Sequence, residues 1–568
     1  MKEEQKNFLI FAVIAAIILF AWEPIVGRFF PTPPPPVTIE GGKTVAQPDP
    51  RAVSTPDTPT ELRDRTAVLR ESPRIAIETP RVRGSLNLRG ARIDDLVLVR
   101  HAETIAENSD PIRLLSPSGT ENAYFASFGW SGDGLGAPGP DTVWTASGNR
   151  LTPETPVTLS TVSNGHTFRM QISVDKGYMF SVRQVAANTG AQAVSAAPYA
   201  YLNRHQDSAD TDTWTIHAGP MVSHGGRVDY TNDYDDLDEQ PLSFASRGGW
   251  VGFTDIYWLA ALVPDQGSQV DLRFRPTGNG NYQAFYQANQ ARVIQPGQAL
   301  VSTSRFFAGA KEVDLLDQYE AEGIPLFGKA IDWGWFEIVE KPIFHYLDWL
   351  FRLVGNFGLA IILLTFTIRL IMFPIAQKQF ASFASMRAIQ PKMKALQERH
   401  KEDKPRLQQE MMKLYKDEKV NPLAGCLPTL LQIPIFYALY KVLMLTIEMR
   451  HQPFVLWIQD LSAPDPLTPL NLFGLLAFTP PSFLHIGVFP ILLGISMYFQ
   501  FKLNPAPMDE IQKQVFALMP WVLMFVMAPF AVGLQVYWIT SNLLTIAQQQ
   551  WLYSRHPALK TAPAKPSK

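Results

Sequence analysis

Hydrophobic positions along this chain follow two different rhythms. Between about residues 37 and 330 they alternate with polar ones: Val270, Leu272 and Phe274 interleave with Asp271, Arg273 and Arg275, and Val82, Leu86 and Leu88 share one face of 81–89. A period of two places alternate side chains on one face of a strand, and Gly, Asn, Pro and Ser clusters such as that around Gly90 interrupt the runs. This predicts an all-β sandwich over 61–330. From 331 onward the apolar runs lengthen. Crossing a bilayer takes about 20 apolar residues, and the candidates are 357–376, 427–447, 486–501, 515–530 and 532–550.

Between these regions, Phe336, Val339, Ile343, Leu347, Leu350 and Val354 recur at helical spacing, with Glu337/Lys341 and Asp348/Arg352 as i,i+4 pairs off the stripe. An amphipathic helix lying on the outer membrane surface is expected within 331–354, the alternative being a helix packed into the sandwich. Pro342 either starts or kinks it. At the N-terminus, 8–22 is apolar and follows Lys2 and Lys6. No small-x-small cleavage site precedes Trp22-Glu23-Pro24, so 1–30 reads as an uncleaved anchor rather than a signal peptide. The stretch 31–60, which includes Pro33 to Pro36, cannot bury a core and reads as an extended linker. The expected whole is a multi-domain membrane protein: six transmembrane helices, five of them in an α-helical core over 355–550, and a separate β-sandwich.

Charge then orients the spans. The connection 377–425 carries 11 Lys and Arg, the tail 551–568 has Arg555, Lys560, Lys565 and Lys568, and 451–485 has neither type. Basic loops stay in the cytoplasm, which puts both termini inside and 61–330 outside. Within 377–425 the helical pattern breaks at Asp403-Lys404-Pro405, giving a hairpin. Its Met386, Met393, Met411 and Met412 suit either adaptable binding of apolar sequences or packing between the two helices. The overall balance of −2 in 568 residues conceals this division, and the single Cys426 excludes an internal disulfide.

Candidate chemistry centres on Arg369. Placing a guanidinium inside an apolar span costs about 2.5–3.5 kcal/mol on insertion scales, and it stays ionised. No carboxylate in 357–376 neutralises it. It therefore needs water or a polar partner, and we expect a hydrated intramembrane cavity. Thr365 lies one turn away on the same face, while Gln432, Ser496, Gln535 and Asn542 supply polar atoms from other spans. Lys441 is a second cation within a span and is expected to snorkel outward toward Glu448. The acidic run Asp229, Asp233, Asp235, Asp236, Asp238, Glu239 lacks the spacing and glycine of a calcium loop and reads as a solvated loop. The segment 323–330 imitates a phosphate loop but has no Ser or Thr after Lys329. Neither HExxH nor GxSxG occurs. These absences argue against an enzyme, a metal site and a cofactor. A secondary transporter is the competing class, although the spans hold no Asp or Glu suited to proton coupling.

Specific runs point further. Asn421-Pro422-Leu423-Ala424-Gly425-Cys426-Leu427-Pro428, Gln432-Ile433-Pro434-Ile435-Phe436, Gly355-Asn356-Phe357-Gly358, Leu461-Ser462-Ala463-Pro464-Asp465-Pro466 and Ser541-Asn542-Leu543 resemble the YidC membrane protein insertase family, in its Gram-negative bacterial type with a periplasmic domain. The resemblance implies an inner-membrane insertase and chaperone whose core encloses a hydrophilic groove. That groove is closed toward the periplasm and holds an arginine matching Arg369. It implies that nascent membrane proteins from the ribosome, or from the Sec translocon (SecYEG and SecDF), pass into the lipid along the helices matching 357–376 and 532–550. Thr365 and Tyr537 match substrate-contacting positions. Trp538 stands where some relatives have tyrosine, retaining an aromatic surface without the hydroxyl.

Overall fold

The computed structural model describes residues 62–208, 210, 216–400, 403–418, 427–473, 475–476, 486–503 and 510–555. The expected anchor (1–30), the linker (31–60), the 421–426 part of the family motif with Cys426, and the tail beyond Arg555 lie outside the described residues.

Alternation of apolar and polar positions becomes two facing sheets, of eleven and nine strands among the described residues. Strand Val194–His205 is central to the first, between Tyr124–Ser131 and Asn281–Ala288; Ala299–Ala310 is central to the second, between Trp258–Val263 and Met179–Ala187. Inward side chains interlock across the gap: Phe128 meets Phe306 edge-on at 6.4 Å, and Trp130 lies 5.2 Å from Phe168. Burying each such ring is worth about 1.5–3 kcal/mol, so the core needs no disulfide. Arg65–Arg70 (α1) flanks the sandwich. The acidic run is not wholly a loop. Tyr234–Glu239 is a helix (α2) because Asp233 and Asp236 form a reciprocal capping box, and Tyr234 and Leu237 anchor it in the core.

Val313–Ala321 (α3) leaves the last strand and leads to 323–330. That segment plugs the end of the sandwich: Phe327 is fully buried against Trp250, Phe307 and Tyr319. The amide of Gly328, which a phosphate loop would offer to an anion, already donates to Glu320 at 2.8 Å.

Glu337–Val354 (α4) has Pro342 inside it and presents three faces. Glu340, Phe344, Leu347 and Leu350 are buried; Lys341 and Arg352 pair with Asp317 and Asp314 of α3 at 3.1 and 2.9 Å. Ile338, Trp349 and Leu353 are exposed and lie within roughly 60° of one another at about 100° per residue, and Trp335, in the turn before α4, is exposed too. The apolar stripe read from the sequence therefore turns mainly inward, and a second apolar face is the open one. Period alone could not separate them, because both faces carry large apolar side chains.

The remaining helices are Phe357–Arg399 (α5), Lys404–Asp417 (α6), Leu427–Leu445 (α7), Val488–Leu503 (α8), Glu510–Met527 (α9) and Val532–Arg555 (α10). Within α5, Phe357–Gln379 is long and apolar enough to cross a membrane; 431–445, 488–503 and 517–527 are shorter apolar stretches. The span and the first hairpin helix are one element, 43 residues and about 65 Å long. Asp403 caps α6, and Ile389, Met393, Leu414 and Tyr415 zip the hairpin together. Met393 thus packs between the helices, whereas Met412 is exposed.

Two of the family motifs are devices for joining helices. Gly355, at φ +70°, ends α4, and the Asn356 side chain caps α5 while donating to the Phe454 carbonyl at 3.0 Å. Gly358 lets α5 approach the loop that carries Phe454, since a Cβ there would sit 2.0 Å from the Phe454 ring. In the second motif, Asp465 is buried and accepts from Trp457 Nε1 (3.0 Å), Leu467 N (3.1 Å) and Phe489 N (2.8 Å). The carbonyls of Leu461 and Ala463 each accept from the first amides of α10 at 2.9 Å. This loop therefore satisfies the starts of both α8 and α10.

Candidate functional site

Helical repeat places Arg369 on α5 facing α10, where Tyr537 and Ser541 stand one turn apart. Arg369 Nε donates to Ser541 Oγ at 3.1 Å, and a second guanidinium nitrogen reaches the same oxygen. Tyr537 is the other group that acts on the charge. Among the described residues no carboxylate pairs with it. A guanidinium carries five donors, so one hydroxyl leaves it able to take an arriving anion through charge-assisted hydrogen bonds.

Around this charge the polar residues form linked pairs. Gln432 of α7 donates to the Tyr537 hydroxyl, which is buried. Asn542, beside Ser541, donates to Ser496 of α8 at 2.8 Å, and Ser496 donates to the Leu493 carbonyl at 2.8 Å. Trp538 meets Phe436 of α7 edge-on at 4.9 Å. Less than two turns of α10, 537–542, therefore touch α5, α7 and α8 with polar or aromatic side chains.

Two candidates stand apart. Thr365 is buried and its hydroxyl donates to its own helix, to the Ile361 carbonyl at 2.7 Å. Gln535 is buried in the first turn of α10, donating to the carbonyls of Met527 and Phe530 at 2.8 and 3.0 Å. It closes the turn from α9 rather than joining the cluster. Both side chains find a backbone carbonyl locally, Thr365 by back-bonding to the preceding turn of its own helix, a competition that composition does not reveal. Ser541, by contrast, is the direct partner of Arg369 and was not among the candidates. Its signal was its position four residues after Tyr537. Lys441 does not reach toward Glu448: its ammonium donates to the Asp332 carbonyl at 2.7 Å, while Glu448 accepts from the first amide of α3, Val313 N, at 2.9 Å. No group of His, Cys, Asp and Glu able to hold a metal occurs among the described residues.

Comparison with known proteins covers the same two regions. The family model described as the YidC periplasmic domain matches residues 74–346, and that of the 60Kd inner membrane protein matches 349–559. A relative named membrane protein insertase YidC, from Zymomonas mobilis, is 48% identical over 561 residues, covering 98% of this chain and 96% of its own. One of the same name from Sinorhizobium medicae is 43% identical over 583 residues, with 98% and 96% covered. The crystal structure of an active YidC insertase with its first transmembrane domain resolved is 18% identical and gives a TM-score of 0.35 over 84% of this chain and 92% of that one. At that score the assignment rests on the sequences, and by them the chain belongs to the YidC membrane protein insertase family, with a β-sandwich periplasmic domain and a helical membrane region.

Proposed function

We propose that this protein inserts transmembrane segments of nascent proteins into the inner membrane, alone or alongside the Sec translocon, receiving them from ribosomes at the basic cytoplasmic hairpin. The reading places both termini in the cytoplasm and six spans in the bilayer. Arg369 carries the argument: it is a permanent cation in an apolar helix, with hydroxyl partners instead of a carboxylate. The tail of an incoming chain has polar and often acidic groups. A hydrated cavity lowers the cost of desolvating them, and the guanidinium attracts them more strongly in low-dielectric surroundings than in water. The apolar segment that follows moves sideways into lipid, gaining about 0.8 kcal/mol per buried CH₂. No nucleotide is consumed in this scheme.

The exit path follows α5 and α10, which share the Arg369–Ser541 contact and expose Phe366 and Leu543. Photo-crosslinking groups at these two positions test it, using membranes and ribosome-stalled chains of a short membrane protein. Crosslinks should track the apolar segment of the substrate and vanish on release. Their absence, with folding and ribosome binding intact, would exclude this route.

A further inference from the structure

Lys441 takes no part in the Arg369 cluster. It leaves α7 near its outer end and donates to the carbonyl of Asp332, in the segment that leads into α4. Glu340, in the first turn of α4, is fully buried and neither carboxylate oxygen has a hydrogen-bond partner; the buried indole N–H of Trp333 also lacks one. Lys441 is the cation acting on Glu340, against the negative charges of Asp332 and Glu337. Tyr437, one turn before Lys441, faces the same carboxyl, while Lys311 and Tyr230 of the sandwich act on Asp332. A buried acid facing a buried base is an expensive way to fill space, because apolar residues of similar volume serve packing at least as well. What such a pair specifies is position.

The brace it positions is α4. On one side Tyr346 is hydrogen-bonded to Thr367 of α5 at 2.9 Å, two residues from Arg369. On the other, Glu340 and the Asp332 carbonyl before it meet Lys441 of α7, the helix that carries Gln432 to Tyr537. We infer that Lys441 and Glu340 are positioning residues that seat α4 on the outer end of α7 and thereby set the spacing of α5 and α7 around the Arg369 site. Its bearing on insertion rests on the function proposed above; the seat itself does not.

Burial lifts the Glu340 carboxyl from its ordinary range to about 8. If α4 lifts away, the carboxyl regains water and its ordinary value. The seated state thus holds more protons between roughly pH 4.5 and 8, and the ratio of seated to lifted α4 falls about tenfold per pH unit across that window.

The test uses the full chain in liposomes, with Cys426 replaced by serine and spin labels at the exposed positions Ile338 and Leu456. Distance distributions and insertion rate are measured from pH 5.5 to 8.5. The wild-type distribution should broaden as pH rises, while Glu340→Gln, which cannot ionise, should remain narrow throughout. Lys441→Met should be broad even at pH 5.5, and Lys441→Arg should restore the narrow form. Identical pH-independent distances in wild type and Glu340→Gln would overturn the seat. Distances that respond while insertion does not would overturn its control of the Arg369 site. Should every variant fail to insert while the distances still respond, the insertion reading fails and the seat stands.

Discussion

At Arg369, the consequential fact is a charge whose direct partner is a neutral hydroxyl, Ser541. Lysine keeps the charge but not the fork, while glutamate reverses it. Arg369→Lys should therefore retain several-fold more insertion of acidic-tailed substrates than Arg369→Glu, in a reconstituted assay with both proteins at equal levels. Equal rates would rule out attraction as the mechanism. Titration gives a second prediction at this scale. Burial, aided by Arg450, Arg81 and Arg100 against the pull of Glu312, depresses His101 to about 4. Its folded form stays neutral where the unfolded chain takes up a proton, so unfolding is favoured as pH falls from 6.5 to 4. The loss approaches roughly 3 kcal/mol, at about 1.36 kcal/mol per pH unit. Thermal melts of His101→Gln should show a flatter acid limb than wild type; unchanged slopes would remove His101 from the account.

Among elements, the joints are more demanding than the helices they join. Gly358 and Phe454 are in contact where α5 begins, and any side chain at 358 must displace that ring. Gly358→Ala should cost about 1–3 kcal/mol, as overpacking does, and Phe454→Ala should relieve much of it. Denaturation of the two single variants and the double variant measures the coupling, and additive losses would refute it. Such joints were only partly legible. Asn356 before an apolar run is a recognisable cap, but nothing in the periodicity shows that its amide also reaches the Phe454 carbonyl about a hundred residues away. On α4 the pattern revealed an amphipathic helix and concealed which apolar face is buried, because two partners, α5 and α7, compete for it.

At the scale of the whole molecule, the sandwich is bound to the membrane region through charge as well as chain. Glu448 accepts from the start of α3, Arg450 donates to the carbonyls of Ala102 and Glu103 at 2.8 and 3.1 Å, and its guanidinium lies over Tyr257 and Trp258. Burial raises the Glu448 carboxyl to about 8, even though two backbone amides favour its charged form. Because α3 supplies Asp314 and Asp317 to α4, its loss should matter more than loss of the strands before it. A chain lacking 74–310 but keeping α3 should insert better than one lacking 74–321. The reverse order, with both stably expressed, would show that α4 does not depend on these pairs.

By itself the sequence determined where strands give way to apolar helices, and that Arg369 needs a polar partner where it stands. Those are local matters of period, charge and desolvation, carried by residues a few positions apart. Only the tertiary structure decided that Ser541 supplies that partner, that Thr365 and Gln535 turn to nearby carbonyls, and that Lys441 reaches Asp332 rather than Glu448. Each choice depends on which polar group lies within about 3 Å once the helices have packed. A buried polar side chain takes the partner that packing brings nearest, and spacing along the chain does not record that distance.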